Sequence, residues 1–375
     1  MPLDLAALLA PVSDDAPAGM DCTQGIEFFN LGILVGYLAD LDAFNTESRR
    51  SEELTTEEEI AHAATARADR QRKLDARESD VKAILERGAS ASGAINKITD
   101  ISKKLLTDTG KDLRVVQHLC YALTVESGLA GYAEGIALAN SMIEAFPGGV
   151  HPLPDEDDPE DISERTNCLG EMASGDIFIR ALRNSLIVEG GRAGKLHVRD
   201  IEVLAGVMEP ENPANPPSEG VAAASLAESG EAVIGEALAT LESAAGALQT
   251  LGRAFGGVSV DRATALVKRA LTFIKDSSGV GEAGNEDAGS EAGAATSSGG
   301  HGPAGVGSVR SRSDARRAIQ LAVQYLEQNE PSHPAPLLLK RADRLLGLSF
   351  YEILRDMAPD SLGEIDRIAG TTNAA

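Results

Sequence analysis

Residues 110–169 read GKDLRVVQHLCYALTVESGLAGYAEGIALANSMIEAFPGGVHPLPDEDDPEDISERTNCL, and this stretch decides the fold. Leu113, Val116, Leu119, Cys120 and Leu123 recur at helical spacing, which makes one apolar side and leaves Arg114, Gln117 and His118 on the other. Gly128 can break the chain, after which Leu129, Tyr132, Ile136, Ala139, Ile143 and Phe146 repeat the stripe. Two apolar stripes joined at a glycine predict an antiparallel helical hairpin. Pro147, Gly148 and Gly149 end it, and Val150, His151, Pro152 and Leu153 lead into an acidic run and a further helix.

The rest of the chain has to supply partners for that hairpin. Its 375 residues suffice for two or three domains. Aromatic residues make up 3% with no Trp, so the core must be built from small and aliphatic side chains at helical periods, and the expected class is all-α. Against 34 Lys and Arg stand 58 Asp and Glu, a formal net charge of -24 that repels phosphate backbones; nucleic acid or an anionic membrane is not expected as a principal partner unless a basic patch is segregated, and only the carboxy-terminal region offers one. Cys22, Cys120 and Cys168 are odd in number and far apart, with no C-x-x-C and no His at zinc spacing, and are expected to be buried thiols in a reducing compartment. The start, MPLDLAALLAPVS, lacks a basic region and carries Asp4, and no uncharged apolar run is long enough to span a bilayer. The expectation is a cytoplasmic protein without direct membrane insertion.

Working outward, the first domain is expected over residues 1–208. A Pro- and Asp-rich loop, Ser13 to Gly19, precedes a helix whose Ile26, Phe29, Ile33, Tyr37 and Leu41 are spaced to face the core, with Gly32 and Gly36 allowing close approach. Residues 45–87 form a charged insertion, with a capping box at Thr55-x-x-Glu58, expected to be a solvated or projecting helix. Ile95, Ile98, Ile101, Leu105 and Leu106 predict the helix that delivers the chain to the hairpin, and Asp157 to Ala173 and Asp176 to Asn184 predict two helices beyond it. Leu186–Val188 and Leu196–Val198 around a Gly-rich turn predict a small β-hairpin, and Arg199-Asp200-Ile201-Glu202 restarts a helix. Four prolines between Glu209 and Pro217 close the domain. Residues 218–275, with Ala- and Leu-rich helices over Val221–Phe255 and Val260–Ile274, are expected as a middle helical segment, and 276–308, made of Gly, Ser, Ala and acid, as a flexible linker. Residues 309–375 are expected to form a small helical module, with Ile319, Ala322, Val323 and Leu326 on its first helix.

Motifs that carry chemistry elsewhere are incomplete here. Gly279-x-Gly281-x-x-Gly284 is a dinucleotide fingerprint in letters only, because no strand precedes it and no helix follows. Gly190 to Lys195 imitates a phosphate loop, yet Glu189 stands in place of its first Gly and Leu196 in place of the magnesium-binding hydroxyl. Asp155 to Asp158 with Glu160, Asp161 and Glu164 lacks the glycine and closing Glu of a calcium loop, and Pro159 intrudes, so a solvated helix start is the plainer reading. His151 beside its prolines is read as a packing residue, Asp112 and Arg114 as structural or capping groups. No catalytic, cofactor-binding or metal-ligating residue is assigned. Residues Arg310 to Arg344 hold seven Lys or Arg and four Asp or Glu, a local basic patch in an acidic protein.

Several of these stretches carry a resemblance. Lys111-Asp112-Leu113-Arg114, Gly128-Leu129-Ala130-Gly131, Val150-His151-Pro152 before the acidic run, and Arg165-x-Asn167-x-Leu169 resemble the ImpA amino-terminal domain of the TssA family of bacterial type VI secretion systems. Ser13 to Gly19 and the closing Ser311 to Gly370 resemble it too, most closely at Glu330-Pro331-Ser332, Pro334, Pro336, Leu337-Leu338-Leu339, Arg341, Phe350 and Arg355. The resemblance implies a non-enzymatic assembly component. It would form a homo-oligomeric ring through the carboxy-terminal module, bind baseplate, sheath, inner-tube and membrane-complex components, and help start or steer tail polymerisation. Under it, Asp112, Leu113, Arg114, His151, Pro152, Arg165 and Asn167 form a structural motif, and the block from Glu330 to Arg355 carries interaction and oligomerisation. Two rivals stay open: a helical adaptor outside secretion, and a hydrolase using the acidic loop and His151. No fixed repeat of solenoid type supports the former.

Overall fold

The computed structural model describes residues 3–51, 57–154, 157–211, 216–278 and 335–345, with positions 319, 322, 323 and 326. The chain divides into two compact units, Met1–Glu286 and Asp287–Ala375. The first unit runs α1 (Leu5–Leu8), α2 (Ile26–Ser51), α3 (Glu57–Leu85), α4 (Ala91–Asp108), α5 (Leu113–Ala145), α6 (Ser163–Ser174) and α7 (Asp176–Arg183). Strands β1 (Leu186–Gly190) and β2 (Gly194–His197) follow, then α8 (Val198–Leu204), α9 (Glu219–Ser229), α10 (Glu231–Leu251) and α11 (Asp261–Ser278). Among the described residues it is all-α apart from that one antiparallel hairpin.

α5 is the hairpin of the opening stretch. Gly128, at φ 60° and ψ -135°, breaks it in two. The halves then fold back so closely that a Cβ on Gly135 would stand 2.4 Å from Cys120 Sγ, and one on Gly131 would stand 2.0 Å from the Leu123 carbonyl oxygen. Both apolar stripes are buried, and so are Val115, Tyr121, Ala122 and Leu138 on other faces. A helix apolar nearly all round belongs in the middle of a fold. The expectation that Gln117 and His118 share a polar side is therefore corrected: α6 and α2 cover them, Cys168 Sγ lying 3.2 Å from Gln117 Oε1 and the Phe28 ring 5.6 Å from that of His118.

α2 departs from its predicted face. Tyr37 is buried and Ile33 and Leu41 pack against the core as expected, but the fully buried stripe is Leu31, Leu34, Val35 and Leu38, which turns Ile26 and Phe29 outward, 70% and 63% exposed. Both stripes are apolar at helical spacing, and only the packing partners decide between them. The charged insertion is corrected likewise. α3 folds back antiparallel on α2, with Leu74, Val81 and Leu85 buried, Arg67 over the Phe44 ring and Arg77 Nε on Asp40 Oδ2 at 2.7 Å. Gly36 leaves room for that arginine, since a Cβ there would lie 2.3 Å from its guanidinium.

The helices over 219–278 are not a separate middle body but part of the first unit's single core. α10 packs along α5, and Asn140 Nδ2 donates to the Ala247 carbonyl at 2.9 Å. α11 is pinned by Glu202 on α8, whose side chain is 3% exposed and which takes Arg183 Nε at 2.6 Å and the Arg269 guanidinium. These three helices bury their apolar faces against the rest of the unit, so they complete its core rather than build their own.

In the second unit the described helix is α12 (Ala335–Leu345), which starts two residues before the expected Leu337. Pro336 is buried, Leu339 half-buried and Leu338 69% exposed. Positions 319, 322, 323 and 326 are helical, and Val323 is buried. The linker from 279 onward, the glycine fingerprint, Thr55, and Glu330, Pro331, Pro334, Phe350 and Arg355 lie outside the described residues.

Candidate functional site at the Lys111 to Arg114 crossing

The motif residues converge where three extended segments lie side by side. Residues 18–20 pair with 109–111: Met20 N donates to Thr109 O at 2.8 Å and Lys111 N to Ala18 O at 2.7 Å. On the other side His151 N donates to Lys111 O at 2.8 Å, and Leu113 N to His151 O at 2.9 Å. The first crossing is tight enough to demand glycine on both sides. A Cβ on Gly19, at φ +71°, would meet Thr109 O at 2.2 Å, and one on Gly110 would meet Met20 O at 1.8 Å.

Four charged groups are set into this crossing. The Lys111 side chain is wholly buried; its ammonium donates to the carbonyls of Leu8 at 2.8 Å and Leu106 at 2.6 Å and lies 5.6 Å from the centre of the Phe146 ring. Burial lowers its pKa from the ordinary lysine value. Asp112 is wholly buried too. It caps α5 by accepting from Arg114 N at 2.9 Å, and it accepts from Cys22 N at 3.3 Å. The Arg114 guanidinium bridges Asp112 and Asp21. Burial works against its charge, yet the two carboxylates outweigh it and raise its pKa. Burial would raise the pKa of Asp21, but hydrogen bonds from Thr23 and the Arg114 charge hold it at about 2.

Arg165, from α6, closes the crossing from beneath. Its Nε donates to Pro152 O at 2.6 Å and its Nη2 to Val150 O at 2.9 Å and Gly148 O at 3.2 Å, with Phe255 stacked 5.1 Å away. These carbonyls belong to a turn that leaves no helix or sheet partner for them, so one planar guanidinium satisfies what the backbone cannot. His151 is 8% exposed, and its backbone forms the second crossing; the His151–Pro152 peptide is cis. The fold thus brings Asp112, Arg114, His151, Pro152 and Arg165 together, whereas Asn167 makes none of these bonds. Lys111 stood in the quoted motif without a role of its own, and Asp21 was not singled out from the sequence. A lysine following Gly110 and flanked by apolar helix stripes was the available signal.

The other chemical candidates resolve differently. In the phosphate-loop mimic the amides of Arg192 and Ala193 are taken by Glu228 Oε2 at 2.7 and 3.0 Å, so the turn already holds a carboxylate of its own chain. In the acidic run Asp161 Oδ1 accepts from Ser163 N at 2.8 Å, at the start of α6. Among the described residues no three His, Cys, Asp or Glu come together as a metal site, and no helix is long and apolar enough to cross a membrane. The three cysteines are free and buried, and burial pushes the thiols of Cys22 and Cys168 up to about 12.

Residues 9–174, which contain the whole crossing, match the family described as ImpA, N-terminal, type VI secretion system. The chain is 27% identical over 277 residues to the type VI secretion system component TssA1 of Pseudomonas aeruginosa, spanning 69% of this chain and 79% of that relative. It is also similar to the solved N-terminal domain, including the conserved ImpA_N region, of the TssA component of the type VI secretion system from Burkholderia cenocepacia. There the identity is 20% and the TM-score 0.49, over 75% of this chain and 96% of that one.

Proposed function

We propose that this chain, whose residues 9–174 match the ImpA N-terminal family and which is similar to a type VI secretion component, acts as a non-enzymatic, cytoplasmic assembly component of a type VI secretion system. In this reading it binds the baseplate, contacts sheath, inner-tube and membrane-complex components, and helps start or steer tail polymerisation. The carboxy-terminal module gathers copies into a ring.

The single observation that supports a scaffold role is how the crossing spends its charged groups. Lys111, Asp112, Arg114 and Arg165 are each bonded to backbone or to one another, and His151 enters through its main chain. Groups poised for acid-base or nucleophilic work would face a cleft and a substrate. These hold three chain segments in register. A rigid acidic body of this kind presents surfaces to neighbours, and joined to a small module that collects copies it would multiply weak contacts by avidity.

The test is a deletion strain carrying a fluorescent sheath and complemented by the full chain. Loss of sheath assembly and of tube-protein export, restored by the chain, is expected. Normal sheath formation without the protein would sink the proposal.

A further inference from the structure

α5 and α10 run together past their buried contact, and between their outer faces lies a surface groove of about 470 Å³. Each wall is a helix face at spacing i, i+3, i+4, i+7, from Ala130 to Ala137 on one side and from Glu236 to Ser243 on the other. Seven residues of helix rise roughly 10 Å, room for about two turns of a third helix. Ala133, Ala137 and Ala239 keep the walls low, which lets an incoming helix axis come close. Leu5, 37% exposed, completes the lining, and Val233, 41% exposed, sits one turn before Glu236.

Two carboxylates define the occupant. Glu134 stands on the α5 wall and Glu236 on the α10 wall. Glu134 is half-buried and Glu236 exposed, and no ion pair joins either to a cation among the described residues, whereas the half-buried Asp40 and Asp42 and the buried Glu202 are each paired. An occupant must bring positive charge to both edges or leave those carboxylates facing it unpaired. The first unit of a second copy is itself strongly acidic and brings acid to this edge instead.

We propose that this groove docks an amphipathic, basic helix of a partner protein, with Ala- or Leu-sized side chains toward the walls and an Arg or Lys reaching each of Glu134 and Glu236. The mode is helix-in-groove recognition, in which small apolar contacts fix the position and edge charges select the partner. The proposal stands on the groove itself and does not depend on the assembly role.

The experiment uses the full chain and two short fluorescent helical peptides, one with Ala and Leu on one face and Arg along both edges, the other a twin with Glu in place of every Arg. Anisotropy titrations at low salt should show saturable binding of the first peptide and none of the second. The double variant Glu134→Gln with Glu236→Gln should weaken binding about tenfold, as expected for two exposed charge pairs. Ala239→Trp, on an exposed wall position, should abolish it with an unchanged circular dichroism spectrum. A control that removes the same charge elsewhere, Asp14→Asn with Asp158→Asn, should bind as the unaltered chain does. Equal loss in the control would reduce the effect to general attraction by an acidic protein. Binding that survives Ala239→Trp, binding of the acidic twin, no binding at all, or self-association that Ala239→Trp removes would each overturn the proposal.

Discussion

Asp112 and Arg114 grip each other across a single intervening residue: Arg114 Nε and Nη2 stand 2.9 and 2.8 Å from the two oxygens of a wholly buried carboxylate. The same carboxylate caps α5 and receives the Cys22 amide. Asp112→Ala therefore removes a helix cap and leaves the buried Cys22 amide without its acceptor, while Arg114 keeps its pair to Asp21. We expect a loss of about 2–4 kcal/mol in urea unfolding of the full chain. A change below about 1 kcal/mol would show that water reaches the site.

Arg165→Met keeps the bulk of the side chain but takes three donor contacts from the carbonyls of Gly148, Val150 and Pro152. Unsatisfied buried acceptors cost about 1–3 kcal/mol each when they find no water. The expected result is a melting temperature several degrees lower and faster hydrogen exchange in residues 148–154, read by mass spectrometry. Exchange that stays slow there would contradict the clamp.

Glycines separate by what surrounds them. Gly110→Ala places a methyl on Met20 O and should unfold the crossing or prevent soluble expression. Gly32→Ala, on an exposed helical site with nothing within 4 Å, should stabilise by about 0.5–1 kcal/mol. Thermal melts of the two variants in opposite directions are the outcome to look for.

Burial lowers the pKa of His118 from 6.5 to about 4, with Asp112 opposing. The unfolded chain therefore binds a proton at a pH where the folded one does not. This contribution to stability is fully present above about 6.5 and is lost as pH falls toward about 4, at about 1.4 kcal/mol per pH unit at most. Denaturant midpoints of the unaltered chain should fall between pH 6.5 and 5, and His118→Phe, packed against Phe28, should flatten that slope. Parallel slopes in both would assign the acid sensitivity to other groups.

Leu338 is 69% exposed on α12, so Leu338→Asp has no core of the single chain to disrupt. Under the proposed ring, the variant should lose assembly by light scattering while its helix content is unchanged. Wild-type size would place the contact elsewhere.

Much of the first unit was legible in residues 110–169, because a hairpin that makes the middle of a fold repeats its apolar spacing twice and marks its break with glycine. The same spacing misled in α2. Ile26 and Phe29 obey the helical period as well as Leu31, Leu34 and Leu38 do, and a period does not say which stripe a neighbour will cover. The charged letters of 57–85 likewise did not show that Leu74, Val81 and Leu85 are buried against neighbouring helices.

The sequence by itself determined the helical class, the break at Gly128, the small hairpin at 186–197 and the family likeness, because each is written in neighbouring residues through spacing, turn chemistry or motif. Only the tertiary structure decided that residues 219–278 complete the first core, that Lys111 is buried against two carbonyls, that Arg165 serves the turn at Gly148 to Pro152, and that α5 and α10 leave a groove between them. Those facts depend on which distant segments are brought within a few ångströms, and local propensity carries no information about a partner a hundred residues away.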